Sequence, residues 1–190
     1  MSVLSGTESG EFQYEALDVW EQLPKGIKLV ECPGVAVDSL DRVYVLTRNR
    51  DHPVQVFTRE GKWIKSFGRG TFSERTHGIF IDADNFIYCT DDGMHTVTKF
   101  DAHGSIIMSL GKPNEPSPKW SGKPFNRPTH AAVSPVTGDI YVSDGYGNSC
   151  IHKYTPDGLF VKSWGEPGID SGQFIRPHNI AIDRDGRVKV

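Results

Sequence analysis

Cysteine is scarce in this chain of 190 residues: Cys32, Cys89 and Cys150 are an odd number and form no CxxC pair. That excludes a disulfide scaffold and points to a reducing compartment, so a cytoplasmic location is expected. Excess positive charge is also missing, with 21 Lys+Arg against 24 Asp+Glu and a formal net charge of −3. Nucleic-acid binders need a basic footprint, so no nucleic-acid partner is expected. No run approaches the roughly 18 apolar residues of a membrane-spanning helix. The opening MSVLSGTESGEF lacks the basic and apolar regions of an export leader, and no membrane association is expected. No glycine-rich loop opens a helix, and neither GxSxG nor HExxH occurs, which removes support for phosphate cradling and for serine nucleophiles.

Glycine and proline, by contrast, are plentiful, at 20 and 12 residues. Together they exceed average usage of roughly 12% and favour many short elements separated by turns. With 37% apolar residues the chain can build a core, which excludes intrinsic disorder. The expected class is all-β.

Four segments align without gaps: PGVAVDSLDRVY from Pro33, HGIFIDADNFIY from His77, HAAVSPVTGDIY from His130 and HNIAIDRDGRVK from His178. Each reads as a short apolar strand, a polar turn and a second strand ending at Tyr44, Tyr88, Tyr141 or Lys189. Two further strands follow in the first three units: VQVF to SFG, VTKF to SLG and IHKY to SWG. The spacings of 44 (33 to 77), 53 (77 to 130) and 48 (130 to 178) residues are those of four-stranded β-propeller blades. The long middle interval holds the Pro/Gly-rich loop from Lys112 to Phe125. Residues 1–26 read as an N-terminal segment and 27–190 as a partial propeller of about three and a half blades. The chain stops at Val190 inside a strand, so the N-terminal part of a longer propeller is expected.

The first strand of each blade lies innermost, so the unit starts Pro33, His77, His130 and His178 converge on one channel mouth. Imidazoles from separate rigid elements suit a zinc ion with an open coordination position. They equally suit strand ends bonded to neighbouring carbonyls. His77 and His178 lie two blades apart, and in a six-bladed ring a third ligand two blades further on would complete an even set. His130 falls between them and is expected to stand behind the ligands or to brace a strand. Tyr146 lies between glycines in SDGYGNSC, which allow a positive φ and close backbone approach, and its phenol can act as acid or base at the channel edge or be a turn aromatic. Arg48 and Arg50 in TRNRDHP can capture a carboxylate or merely solubilise a loop. Asp91 and Asp144 recur at one register, and Asp38, Asp82 and Asp183 at another, which marks them as turn formers first and metal ligands second.

The runs GVAVDSLDRVYVLTRNRDHPVQVF, THGIFIDADNFIYCTDDGMHTVTKF, FNRPTHAAVSPVTGDIYVSDGYGNSCIHKY and GQFIRPHNIAIDRDGRV resemble the NHL-repeat propellers of the peptidyl-α-hydroxyglycine α-amidating lyase family, bacterial members in particular, from about Tyr14 onward. The resemblance implies six blades, a channel zinc on three histidines and cleavage of a carbinolamide C–N bond to an amide and glyoxylate. It implies zinc on His77 and His178, Tyr146 as general base on the hydroxyl and Arg48 as an anchor for the substrate carboxylate. It also implies a structural calcium near the backbone of Val35 and Ile79. The third histidine, an acidic calcium ligand and a second arginine would lie beyond Val190. The implied partner is a small or peptidyl α-hydroxyglycine-like substrate. Two other readings stand beside it: a non-catalytic NHL propeller that binds a protein or small ligand, and a metal-dependent hydrolase or lactonase with a carboxylate-rich calcium site. The histidine-rich register argues against the hydrolase.

Overall fold

The computed structural model describes residues 17–190. Tyr14 and the MSVLSGTESGEF opening lie outside the described residues. Among those described there is no α-helix. Four strands, β1 (Gly34–Val37), β2 (Val43–Leu46), β3 (Val54–Phe57) and β4 (Trp63–Phe67), form the first antiparallel sheet in chain order. The second comprises β5 (Thr76–Ile81), β6 (Ile87–Asp91), β7 (Thr96–Phe100) and β8 (Ile106–Leu110). The third comprises β9 (His130–Val133), β10 (Ile140–Asp144), β11 (Cys150–Tyr154) and β12 (Phe160–Trp164), and a last hairpin pairs β13 (Ala181–Ile182) with β14 (Val188–Lys189).

The first hairpin of each unit is set by its own turn residue. Asp38 Oδ1 accepts the backbone N–H groups of Leu40 and Arg42, Asp82 Oδ1 those of Asp84 and Phe86, and Asp183 Oδ1 those of Asp185 and Arg187. This is the Asx geometry that makes Asp favourable in turns. In the third unit Ser134 takes the place, its Oγ accepting from Val136 and Thr137. Tyr44 and Tyr88 do not end the second strand, as the alignment had suggested, but stand second in it. Their hydroxyls reach back to the other oxygen of the turn aspartate, Asp38 Oδ2 and Asp82 Oδ2, both at 3.1 Å. The strand then continues past them to Leu46 and Asp91, because its later residues pair with the third strand.

The sheets pack face to face. Tyr44, Leu46, Val54 and Val56 of the first meet Ile79, Ile87, Cys89 and Phe100 of the second. Tyr88, Val97 and Leu110 of the second meet Ala131, Ile140, Val142 and Tyr154 of the third, and Ile151 and Ala132 of the third meet Ile180 before the last hairpin. The innermost strands β1, β5, β9 and β13 lie side by side in that order, which is the arrangement of consecutive propeller blades. The 112–125 loop folds back on the third blade, where Phe125 is buried against His152 and Tyr154. In the N-terminal segment, Trp20 stacks on Phe57 at 5.3 Å and Gln22 bridges to Lys62 at the rim of the first blade.

Phe100 sits where the first two blades join, packed on Phe67 and Phe72 and 1% exposed. Phe100→Ala is expected to cost about 3–5 kcal/mol of stability, read as a lowered urea midpoint at unchanged m-value.

Candidate functional site

Three residues from three different blades meet at one end of the inner strands. His77 is the second residue of β5, Tyr146 stands on the turn between β10 and β11, and His178 precedes β13. The His77 Nδ1–H donates to the Thr129 carbonyl at 2.7 Å, so the neutral ring carries its lone pair on Nε2. Tyr146 Oη donates to that Nε2 at 2.9 Å and accepts from His178 Nε2–H at 2.8 Å. The imidazole rings meet edge to face at 4.7 Å between centroids. His77 is half-buried, and burial lowers its pKa, with His178 pushing the same way and the Thr129 carbonyl opposing.

The Tyr146 turn is shaped by contact more than by torsion. Neither flanking glycine adopts the positive φ that the sequence suggested; Ser149 does, at φ 55. Gly145 instead lies so close to the Pro177 backbone, and Gly147 to Asn126, that a Cβ at either would collide with them. Those approaches bring Tyr146 against the segment that carries His178.

The remaining sequence candidates divide. His130 turns away from Tyr146, its Nε2 meeting the Ile79 carbonyl at 3.3 Å. A cation at that carbonyl would share its oxygen with the imidazole. Val35 lies on β1, the strand beside β5, where Gly34 touches Ile79. Arg48 Nη1 is paired with Glu31, and its charge is close enough to act on His77. Among the described residues Arg50 pairs only with Glu74 at 3.5 Å, both exposed, a contact worth about 0–1 kcal/mol. Asp91 makes the expected turn, accepting from Gly93 and Met94, and also holds Ser73.

Asp144 does something else. Its Oδ2 accepts from Asn126 N, Asn148 Nδ2 and His152 Nε2–H at 2.8, 2.7 and 3.0 Å, and His152 Nδ1 accepts from Ser163 Oγ at 2.6 Å. Cys150 Sγ lies 3.5 Å from His152 Nε2, so Asp144, Cys150 and His152 bring three ligand-type atoms together among the described residues. Burial, with Asp144 adding to it, pushes the Cys150 thiol up to about 12. With the thiol protonated and the imidazole bonded at both nitrogens, this group works as a buried strap across β10, β11 and β12.

Four charged residues at the site escaped the sequence reading. Arg75 grips Asp92 with two hydrogen bonds, 2.6 and 2.9 Å, and Arg127 Nη2 reaches the same carboxylate at 3.1 Å. Burial alone would raise the Asp92 carboxyl, but the two guanidiniums outweigh it and hold it below the usual carboxylate range. The Arg127 and Arg176 guanidiniums lie 4.7 and 5.6 Å from the Tyr146 ring centroid. The available signal was an arginine two or three residues before each blade-start histidine: Arg75, Arg127 and Arg176.

Burial lowers the pKa of His77, His95 and His130 alike. The unfolded chain therefore binds more protons than the folded one below about pH 6.5, and stability falls as pH drops through that range. Urea midpoints between pH 7.5 and 5 should decline, and His95→Asn should make the decline shallower; a flat profile would contradict the assignment.

A family profile for the NHL repeat matches residues 125–154. The chain is 34% identical over 159 residues to "Peptidyl-glycine alpha-amidating monooxygenase B" of Xenopus laevis, covering 78% of this chain and 18% of that protein. It is 34% identical over 135 residues to "Probable peptidyl-alpha-hydroxyglycine alpha-amidating lyase pgal-1" of Caenorhabditis elegans, covering 70% of this chain and 37% of that one. The chain thus spans well under half the length of these curated relatives. Among solved structures, virginiamycin B lyase from Staphylococcus aureus superposes with a TM-score of 0.61 at 17% identity, covering 84% of this chain and 48% of that one. This last likeness concerns the fold.

Proposed function

The chain belongs to the NHL-repeat proteins, and we propose that it is a metal-dependent lyase that cleaves the C–N bond of an α-hydroxyglycine-type carbinolamide, yielding an amide and glyoxylate. One observation carries the reading: Tyr146 Oη is held between His77 Nε2 and His178 Nε2, at the meeting point of three blades.

The donor set suits an ion that accepts imidazole. A ring whose Nδ1–H is tied to a carbonyl and whose Nε2 lone pair faces the site has the tautomer and orientation of a ligating histidine. His77 and, once its proton has moved from Nε2 to Nδ1, His178 would hold zinc, which as a Lewis acid polarises a substrate oxygen when bound. With its own proton given up to solvent when the imidazoles turn to the ion, Tyr146 Oη, as a phenolate, takes the proton of the α-hydroxyl as the C=O bond forms. The C–N electron pair then leaves with the amide nitrogen, and Tyr146 returns the proton to that nitrogen. Glu31 occupies Nη1 of Arg48, so the rest of the fork is left to orient the substrate carboxylate. The Asp92-anchored arginines keep positive charge beside the phenol while the proton is in transit.

In the full-length protein, Tyr146→Phe is expected to lower the rate of glyoxylate release from a peptidyl-α-hydroxyglycine by about 10²- to 10⁴-fold. Its metal content by elemental analysis should be unchanged, whereas His77→Ala should lose the ion. Retained activity in Tyr146→Phe would remove the role given to the phenol. A metal-free, inactive wild-type protein would favour a propeller that only binds a ligand at this mouth.

A further inference from the structure

Arg48 gives one nitrogen, Nη1, to Glu31, and Arg75 and Arg127 share Asp92. Arg176 differs from all three: among the described residues no carboxylate pairs with it, and it is exposed. Three guanidiniums thus gather around Tyr146 against the single carboxylate they contact, Asp92, while Asp91 behind Arg75 is occupied by Ser73, Gly93 and Met94. Arg127 is fixed in place. Its backbone N–H donates to His95 Nδ1 at 3.0 Å, its carbonyl accepts from Tyr146 N at 3.4 Å, and its Nε is buried without a partner. A preorganised cation and an unpaired one beside the reacting group suit an anion.

We propose that Arg127 and Arg176 form a second anion-binding position beside Tyr146, distinct from Arg48, which selects carbinolamides whose departing amide carries a further carboxylate. The choice of substrate rests on the lyase reading; the anion position itself does not. Two residues that merely stacked on the tyrosine would affect all substrates alike.

The test compares N-succinyl-α-hydroxyglycine with its neutral isostere N-butanoyl-α-hydroxyglycine on the full-length, metal-loaded protein. The acidic substrate is expected to have at least about tenfold higher kcat/KM, an advantage that shrinks as salt is raised. Arg176→Met should bring the ratio close to one, and Arg176→Lys should restore part of it. In parallel, calorimetry should show succinate binding about tenfold more tightly than its neutral diamide, succinamide, with the difference reduced in Arg176→Met. If neither carbinolamide is turned over while the succinate preference and its reduction persist, the lyase reading fails and the anion position stands. If both substrates are turned over equally, or if Arg176→Met leaves the ratio and the succinate preference unchanged, the proposal is overturned.

Discussion

Thr129 is fully buried, and its two oxygens act on two different blades. The carbonyl accepts from His77 Nδ1 at 2.7 Å, which chooses the tautomer of that ring and aims its lone pair at Tyr146. The hydroxyl reaches the carbonyls of Ser143 and Pro177, each at 3.0 Å, and so ties the segment before His178 to the third blade. The position of both imidazoles therefore depends on one residue that makes no hydrogen bond to Tyr146. In a buried setting those hydrogen bonds lack water as a competitor, which is why such a hub can fix geometry so firmly.

A similar economy holds the third blade together. Asp144, His152 and Ser163 form a chain of hydrogen bonds across three strands, with Asn148 and the Asn126 backbone converging on the same carboxylate oxygen. The strap and the Tyr146 turn share residues 144–149, so the phenol is mounted on a buried, hydrogen-bonded polar part of the blade. The glycines on either side of Tyr146 then allow the turn to sit against Pro177 and Asn126 without a Cβ in the way.

Much of this was legible in the sequence, for a physical reason. Blade order, strand number and the register that places His77 and His178 at one mouth all follow from repetition, because equivalent residues in a propeller occupy equivalent places. The turn aspartates were legible because their bonds are local. What escaped was set by partners far along the chain. Tyr44 and Tyr88 looked like strand ends, yet their hydroxyls return to Asp38 and Asp82 and the strands run on. Gly145 and Gly147 suggested unusual torsions, but the constraint was proximity to residues that the local sequence does not reveal. Arg127 looked like any loop cation until Asp92, 35 residues away, was seen to hold it.

That division between local and distant bonds also orders events in time. Each hairpin carries its own clasp, since Asp38, Asp82 and Asp183 bond residues two and four positions on and need no neighbouring blade. Such units close on the microsecond scale typical of hairpins. The contacts that make the site span 32, 48, 52 and 69 residues, and loop-closure entropy delays contacts of that range until the elements between them have formed. The imidazole–phenol cluster is thus a late product of blade docking, and its formation reports the docked blades where backbone signals would report only the separate sheets.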